Sequence, residues 1–326
     1  MKKIKTEDAV GKVLSHDIAR IVIGEKKDTP FRRGHVVSVE DISELLSLGK
    51  EHLFVLEEED FDKMHEEEVA SALYDLCDNE YIYGTEVREG KIEAISEIDG
   101  LFKVDVLRLK EINSIGELTI VTKKTNTPVK AGDKLAGMRC IPLLLDSSQV
   151  EMAKVIGGGK PLFEMLPFVC KSYGVVTTGT EVFSGRIQDA FTPIIQERAA
   201  AYGMKMLMHH IVPDDKGAIE GAIQDCLDKG ADMVFCTGGM SVDPDDLTPG
   251  AIKAVAKEVV TYGLPVLPGS MFCIAYAEDG RAIIGVPGGV LFSSPTAFDM
   301  LLPRFVAKDK MTKEDCIELG HGGFLG

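Results

Sequence analysis

Tryptophan is absent from the 326-residue chain, and aromatic residues make up only 6% of it. So few aromatic side chains argue against a platform on which nucleic-acid bases stack. Cationic residues are also scarce, since 36 lysines and arginines face 52 acidic residues and give a net charge of −16. A broad basic face for nucleic acid is therefore not expected.

Long apolar segments are missing as well. No apolar run approaches the roughly 20 residues that a transmembrane helix needs, so no membrane association is expected. The first residues, MKKIKTEDAVGK, have no apolar stretch after the lysines and do not predict a secretory signal. The seven cysteines are scattered and form no C-x-x-C pair. This pattern favours reduced, buried thiols in a cytoplasmic protein over disulfides or zinc.

The length of the chain predicts two or three domains, and the second half has the clearer pattern. Apolar strand-like runs alternate there with amphipathic helical segments. Strands are predicted at 172–178, 205–212, 231–237 and, as a pair around an Asp-Gly turn, 272–286; helices are predicted at 192–203, 216–230, 248–260 and 295–307. The alternation predicts a three-layer α/β domain over 166–310, with a mainly parallel sheet covered by helices on both faces.

The first half is less regular and predicts a smaller, β-rich α+β region. We divide it into an N-terminal segment at 1–60 and a middle region with a linker at 61–165; residues 311–326 form a tail. The acidic run EEEDFDKMHEEE at 57–68 is interpreted as a solvated helix face or linker. The segment GGGKPLFEMLP at 157–167 is interpreted as the linker to the α/β domain.

Three glycine-rich loops follow predicted strands of the α/β domain, at 178–189, 237–249 and 286–295. In open α/β sheets, ligands bind outside the carboxyl ends of the strands. Because all three loops leave that edge, they predict one shared ligand site.

The stretch CTGGMSVDPDDLTPGA at 236–251 combines two opposing features. Gly238 and Gly239 allow backbone N–H groups to approach an anion, and the helix predicted from Thr248 adds the positive end of its dipole. Three aspartates follow, however, and carboxylates repel phosphate; they are Asp243, Asp245 and Asp246. A bound Mg²⁺ would make the glycine loop and the aspartates compatible, because Mg²⁺ binds one or two carboxylates together with phosphate oxygens and water. Alternatively, Asp245 or Asp246 only interacts with the helix N-terminus.

A second acidic pair, Asp214 and Asp215, follows the strand at 205–212. Carboxylates from two strand ends beside a glycine loop suit metal-assisted phosphate chemistry. The alternative is that they cap the next helix. Glu181, in the turn after the first strand, either meets a polar ligand or is solvated. His209 and His210 lie inside a strand, and the one that points inward is interpreted as a hydrogen-bonded core histidine.

These motifs resemble a known domain. The chain is similar, in order, to the molybdopterin-binding domain shared by MoeA, MogA/MoaB and gephyrin, and its GGMSV form is closest to MoeA. In the first half, EDAVGKVLSHDI at 7–18 and residues 31–56 resemble MoeA-like segments. The C-terminal segments that carry the resemblance are TTGTEV (177–182), IQDAF (187–191), IVPDDKGAI (211–219), ADMVFCTGGMSVDPDDLTP (231–249), LPGS (267–270) and GVPGG (285–289).

The resemblance implies binding of molybdopterin, a pterin dithiolene with a terminal phosphate. It implies that Asp214 and Asp246 are catalytic and bind Mg²⁺, and that the substrate is adenylylated molybdopterin, into which molybdate is inserted as AMP leaves. It also implies a homodimer that passes the cofactor to a molybdoenzyme. The residues implied to contact the substrate are Thr178, Gly179, Glu181, Asp189, Gly238, Gly239, Ser241, Thr248, Pro287, Gly288 and Gly289.

Three departures from the family pattern leave other functions open. The first loop reads Asp189-Ala190-Phe191 instead of Asp-Ser-Asn, and the last reads Pro-Gly-Gly at 287–289 instead of Pro-Gly-Asn-Pro. KKDTPFRRGH at 26–35 stands where MoeA proteins carry an acidic segment. A non-catalytic molybdopterin carrier or sensor is therefore the second interpretation. A CinA-type nucleotide pyrophosphatase, whose loop is similar, is the third.

Overall fold

The computed structural model describes residues 1–20, 28–60, 62–241, 243 and 246–323. The chain divides into two compact units. The first comprises residues 1–98, 102–125 and 129–165, and the second comprises residues 99–101, 126–128 and 166–326.

The first unit is built mainly from short strands. Its strands are β1 (Lys2–Lys5), β2 (Ile18–Arg20), β3 (Asp28–Phe31), β4 (His52–Val55), β5 (Lys63–His65), β6 (Ile82–Gly84), β7 (Ile92–Ser96), β8 (Gly100–Val104), β9 (Leu118–Thr122), β10 (Thr127–Val129), β11 (Lys134–Cys140), β12 (Leu144–Asp146) and β13 (Phe163–Pro167). Strands β8, β10 and β13 include residues of both units. Its helices are α1 (Asp41–Ser47), α2 (Glu66–Asp75), α3 (Val106–Asn113) and α4 (Ser147–Gly157), with 3₁₀ turns at Thr6–Asp8 and Glu58–Asp60.

Antiparallel pairing organises the first unit. Strands β6, β7, β11 and β9 form a sheet in that order, and β1 pairs with β4, β2 with β3 and β5 with β12. Helix α2 places Val69 and Leu73, four residues apart and therefore on one face, in the core that also holds Ile92 and Met138 of the sheet. The predicted β-rich α+β region is confirmed.

Two segments of the first unit are more ordered than their composition indicates. The acidic run at 57–68 is not simply solvated, because Asp60 is 2% exposed and His65 is 4% exposed. Asp60 is held by the amino terminus and by Lys63, while His65 caps α2. The predicted linker at 157–167 contains strand β13, whose Phe163 is buried. In both segments long-range contacts outweigh the local polar or glycine-rich composition.

The second unit alternates strands and helices as predicted. Its elements are β14 (Ser172–Thr178), α5 (Thr180–Phe183), α6 (Phe191–Ala200), β15 (Lys205–Val212), α7 (Lys216–Asp228), β16 (Met233–Thr237), α8 (Thr248–Val255), β17 (Glu258–Tyr262), β18 (Cys273–Tyr276), β19 (Ala282–Val286), a 3₁₀ turn at Gly288–Leu291, α9 (Ala297–Val306) and α10 (Lys313–Glu318). The strands form one sheet in the order β15-β14-β16-β19-β18-β17. Strands β15, β14, β16 and β19 are mutually parallel, and β18 runs antiparallel to both of its neighbours.

Both faces of this sheet are covered by helices. Side chains alternate along a strand, so Val175 of β14 packs in the cluster with α6 and α9, and Val176 packs in the opposite cluster with α7 and α8. Phe235 and Cys236 of β16 divide between the same two clusters. The three-layer α/β fold with a mainly parallel sheet is therefore confirmed.

One boundary differs from the expectation. The helix predicted over 248–260 ends at Val255, and residues 258–262 form strand β17. The β-branched residues Val259, Val260 and Thr261 favour the extended backbone, and pairing with β18 fixes it. In the predicted tail, residues 313–318 form α10, which begins with a capping box between Thr312 and Asp315.

The composition-based expectations concern the thiols and the membrane. All seven cysteines are buried and unpaired, which confirms the prediction of free buried thiols. Burial raises the pKa of Cys226 to about 11, so this thiol stays protonated at neutral pH. Among the helices of the described ranges, none is long and apolar enough to cross a membrane.

Candidate functional site

The loop after β16 contains two consecutive glycines in the left-handed region. The φ angles of Gly238 and Gly239 are 80° and 52°. A Cβ on Gly238 would lie 2.2 Å from the carbonyl oxygen of Thr178, at the end of the neighbouring strand β14. The loop therefore needs glycine at position 238 for two reasons: the backbone conformation and the close approach of another main chain.

Two buried threonines lie beneath this loop. The Oγ1 hydroxyl of Thr248, at the start of α8, donates to the carbonyl oxygen of Gly238 at 2.8 Å. Its only hydrogen is then used, so the Thr178 hydroxyl is the donor in the 3.1 Å contact between the two threonine side chains. Thr178 and Thr248 thus fix the shape of the glycine loop from below.

Asp246 closes the loop that follows the glycines. Its Oδ2 accepts a hydrogen bond from the backbone N–H of Ser241 at 2.7 Å, and its own N–H donates to the carbonyl of Asp243 at 3.0 Å. Its Oδ1 would lie 3.6 Å from a Cβ built on Gly239, so the carboxylate stands next to the glycine pair. Asp245, the third aspartate of the stretch, lies outside the described residues.

Tyr262 of β17 supports the same loop and was not anticipated from the sequence. Its hydroxyl lies 2.9 Å from the carbonyl of Met240 and 3.0 Å from that of Ser241. Burial, with a contribution from the charge of Asp246, raises the pKa of Tyr262 and keeps the hydroxyl a donor. The sequence predicted a helix up to residue 260 and therefore gave no reason to place this side chain under the loop.

These groups line a cleft of about 630 Å³ at the carboxyl edge of the sheet. The cleft brings together the predicted residues Gly238, Gly239, Ser241, Asp246, Pro287, Gly288 and Gly289. It also includes Phe191, Met240, Asp243 and residues 267–271, none of which is among the predicted contact residues, although Met240 and Asp243 belong to the predicted loop at 237–249. The LPGS motif at 267–270, quoted above for its resemblance, was the signal for the last of these.

The second predicted aspartate has a different environment. Asp214 Oδ2 accepts hydrogen bonds from the N–H of Thr180 at 2.8 Å and from its hydroxyl at 3.0 Å. It thereby holds the start of α5, just after Gly179, and it is not among the described residues that line the cleft. Glu181 is exposed on α5. Asp215 caps α7 by accepting from the N–H of Ala218 at 2.8 Å, as the capping interpretation states.

Asp189 is turned into the protein. Its carboxylate accepts from the hydroxyls of Thr177 and Thr192 and from the N–H of Phe191, and it lies 3.3 Å from His209 Nε2. Burial alone would raise the pKa of Asp189, but these hydrogen bonds outweigh it and hold the pKa well below its usual range. The network joins β14, β15 and α6. His209 is hydrogen-bonded as predicted, but its side chain is 21% exposed and therefore does not lie in the core.

The described residues contain no group of three or more His, Cys, Asp or Glu side chains arranged to hold a metal ion. In the cleft itself, the acidic side chains described are Asp243 and Asp246. One or two carboxylates are enough for Mg²⁺, which keeps several waters and binds through a ligand's phosphate oxygens. The donor set therefore fits Mg²⁺ only together with an anionic ligand.

Two family matches cover separate parts of the chain. Residues 174–307 match the family described as "Probable molybdopterin binding domain", and residues 3–57 match a "Domain of unknown function (DUF8806)".

Curated relatives share part of the chain. A molybdopterin molybdenumtransferase of Synechococcus elongatus is 24% identical over 52% of this chain and 42% of its own length. A protein of the same name from Staphylococcus aureus is 30% identical over 36% of this chain and 29% of its own length. A CinA-like protein of Mycobacterium avium is 37% identical over 26% of this chain and 19% of its own length. The chain thus spans less than half the length of these relatives.

Solved structures with similar regions include two proteins named MoaB. The molybdopterin biosynthesis enzyme MoaB of Thermus thermophilus is 22% identical, with a TM-score of 0.38, over 43% of this chain and 98% of that one. The tungsten cofactor synthesizing protein MoaB of Pyrococcus furiosus is 22% identical, with a TM-score of 0.32, over 37% of this chain and 88% of that one.

Proposed function

Because residues 174–307 match the family described as a probable molybdopterin binding domain, we propose that the cleft beside Gly238 and Gly239 binds the terminal phosphate of molybdopterin. We further propose that the protein inserts molybdate into adenylylated molybdopterin with Mg²⁺ and releases AMP, as a cytoplasmic homodimer that supplies a molybdoenzyme. The proposal rests on one observation: the carboxylate of Asp246 lies beside the glycine pair at 238–239, which has no side chains.

The loop suits a phosphate for a physical reason. Gly238 and Gly239 form a tight turn after β16, and successive N–H groups in a turn can form a concave surface that meets an anion. Gly238 and Gly239 both line the cleft and carry no side chain there, so an anionic group can approach their backbone closely. The hydroxyl of Thr248 orients the peptide of Gly238 from below, which keeps the loop organised before the ligand arrives.

Asp246 is the residue to which we assign the metal and the chemistry. Its Oδ2 is used by Ser241, whereas Oδ1 stands beside Gly239, and Asp243 lines the same cleft. Mg²⁺, when bound, would neutralise the repulsion between these carboxylates and the phosphate. We assign to Asp214 the support of the first loop through Thr180, and through that loop the position of the substrate.

Replacing Asp246 with asparagine tests this assignment. Asparagine keeps the shape and can still accept from the N–H of Ser241, but it removes the charge that a metal requires. Molybdate-dependent AMP release from adenylylated molybdopterin should fall by about 100-fold or more, as for the loss of a group that acts in the transition state, while molybdopterin binding changes by only a few fold.

The matched control is Asp228→Asn at the end of α7, where the side chain interacts with Gln224. Its AMP release should equal that of the unmodified protein. Full activity of the Asp246→Asn variant would contradict the catalytic assignment.

A non-catalytic carrier or sensor is the second candidate. The positions of Asp189 and Asp214, which match acids of the family pattern, favour it. Asp189 is turned inward, and Asp214 accepts a hydrogen bond from Thr180 and does not line the cleft. Such a protein would retain one molybdopterin per site and release no AMP with molybdate. Multiple turnovers in the same assay would exclude it.

The match to a CinA-like protein supports the third candidate, a nucleotide pyrophosphatase. Hydrolysis of ADP-ribose is its direct assay. Activity that Asp246→Asn abolishes would favour this function over the transferase, provided that molybdate-dependent AMP release is absent.

A further inference from the structure

The first unit contains a polar cleft of about 1240 Å³ that the proposed function does not use. It is lined from β2, β5, the start of α2 and the turn between β6 and β7. The side chains with chemistry at its surface include His16, Asp17, His65, Glu66, Arg88 and Lys91.

His65 lines this cleft and carries a buried, unpaired ring nitrogen. Its Nδ1 accepts from the N–H of Glu67 at 3.3 Å, so a neutral ring carries its hydrogen on Nε2. Burial, reinforced by the charge of Arg33, lowers the pKa of His65 to about 4, which keeps the ring neutral at pH 7. Nε2 exposes less than 1 Å² and has no hydrogen-bond partner among the described residues.

An unpaired buried N–H is costly, and a ligand with an acceptor would satisfy it. A metal would not, because Nε2 carries the hydrogen instead of a free lone pair.

His16 presents the opposite group. The hydroxyl of Ser15 donates to the carbonyl of Phe54 at 2.9 Å, so in its 3.1 Å contact with His16 Nδ1 the hydroxyl oxygen is the acceptor. Nδ1 of His16 therefore carries the hydrogen and its Nε2 is an acceptor; this tautomer follows from the hydrogen-bond network. Burial lowers the pKa of His16, which favours the neutral ring.

Glu66, the residue after His65, adds a carboxylate to the lining. Its side chain is 19% exposed, its Oε2 lies 3.9 Å from Arg139 Nη2, and it packs against Gly90, where a Cβ would come within 2.4 Å of Glu66 Cδ. The bases at the surface of the cleft pair with two of its acids: Lys91 and Lys134 with Glu93, and Arg88 with Glu86. Acids outnumber bases among the lining residues: Asp17, Glu66, Glu67, Glu86, Glu89 and Glu93 against Arg88, Lys91 and Lys134. The surface therefore favours ligands that donate hydrogen bonds over anions.

We propose that this cleft binds a ring with a lactam edge, in which a carbonyl acceptor stands beside N–H and amino donors. The carbonyl would accept from His65 Nε2, and the N–H groups would donate to the carboxylate of Glu66, with His16 Nε2 as a further acceptor. The pyrimidinone ring of a pterin and the base of a guanine nucleoside share this edge. The site belongs to the first unit and does not depend on the proposed function of the second.

Calorimetric titration of the full chain tests the proposal with three phosphate-free probes. These are 6-hydroxymethylpterin, guanosine and adenosine, of which adenosine has no lactam carbonyl. At least one of the first two should bind with one site per chain, and adenosine should not bind at the same concentrations. Which of the two binds more tightly identifies the source of the lactam ring.

Variants assign the binding to this cleft. His65→Asn keeps an acceptor that caps α2 but has no donor at the position of Nε2, so it should weaken binding by roughly tenfold or more. Glu66→Gln should weaken it by a similar factor. The control His52→Asn changes an exposed histidine of β4 outside the cleft and should leave binding unchanged.

Three results would overturn the proposal: no binding of either lactam, equal binding of adenosine, or full binding by a correctly folded His65→Asn variant. The variant Asp246→Asn should bind the lactam normally, and loss of binding there would assign the ring to the second unit. Failure of molybdate-dependent AMP release would not affect any of these measurements.

Discussion

The substitution Gly238→Ala gives the sharpest test of how the glycine loop is built. Alanine at this position has to adopt a φ of 80°, and its Cβ would lie 2.2 Å from the carbonyl oxygen of Thr178 and 2.8 Å from its hydroxyl oxygen. Real Cβ atoms do not approach other atoms so closely. Because the nearer atom belongs to the main chain of β14, it cannot move aside by a side-chain rotation, and the two strand ends have to separate.

The cost has two parts. Holding alanine in the left-handed region costs about 1–2 kcal/mol. Relieving the overlap with Thr178 costs about 1–3 kcal/mol more, as for other overpacked sites. The free energy of unfolding of the second unit should therefore fall by about 2–5 kcal/mol. For a unit of this size each kcal/mol lowers Tm by about 2–4 °C, so a shift on the order of 10 °C is expected.

Thermal unfolding followed by calorimetry measures this shift, with Gly221→Ala as the matched control. Gly221 lies in the interior of α7, has no atom within 4 Å of a built Cβ and has no positive φ. Alanine there should raise the stability by about 0.5–1 kcal/mol because it favours the helix. An unchanged Tm for Gly238→Ala would refute the close approach of the two strand ends.

Two further substitutions test the supports of the site. Tyr262→Phe removes the hydroxyl that contacts the carbonyls of Met240 and Ser241, and it should cost about 0.5–1.5 kcal/mol of stability in a urea titration while weakening molybdopterin binding. Unchanged binding would show that the loop holds its shape without this hydroxyl. Asp189→Ala should cost roughly 2–4 kcal/mol at pH 7, since it leaves Thr177, Thr192 and His209 without their acceptor. Because the pKa of Asp189 is lowered in the folded state, its stabilisation is present above the unfolded value of about 3.9 and is lost as the pH falls below it. The difference from the unmodified protein should therefore shrink in urea titrations below pH 4, and a constant difference would argue against the ionised carboxylate.

The fold of the second unit was accessible from the sequence because its signals are local. Runs such as SYGVVTT at 172–178 and ADMVFCT at 231–237 are too apolar to be anything but buried elements, and glycines end the helices between them. The same rules misplaced the end of α8, where Val259 and Val260 continue an apolar helical pattern. There the choice depends on pairing with β18, which no local pattern encodes.

The candidate site was predictable only as a set of loops. Glycine pairs and acids at strand ends pointed to the cleft, but the direction of each carboxylate depends on partners far away in the chain. Asp214 accepts a hydrogen bond from Thr180. Asp189 accepts one from Thr177 and lies 3.3 Å from His209 Nε2. His65 could not be predicted as a site residue, because it lies in an acidic run whose composition predicts solvent exposure, yet the residue is 4% exposed.

The proposed phosphate site raises the question of why its loop carries acids. Asp246 accepts the N–H of Ser241 and thereby holds its own carboxylate beside Gly239; without an acceptor there, Ser241 and Asp246 would lose this link. This link alone does not need a negative charge, since asparagine can accept the same hydrogen bond. A charge retained where it repels the ligand is unfavourable unless a cation offsets it. The link and the charge are therefore separable properties of one side chain, and the asparagine variant retains the first while removing the second.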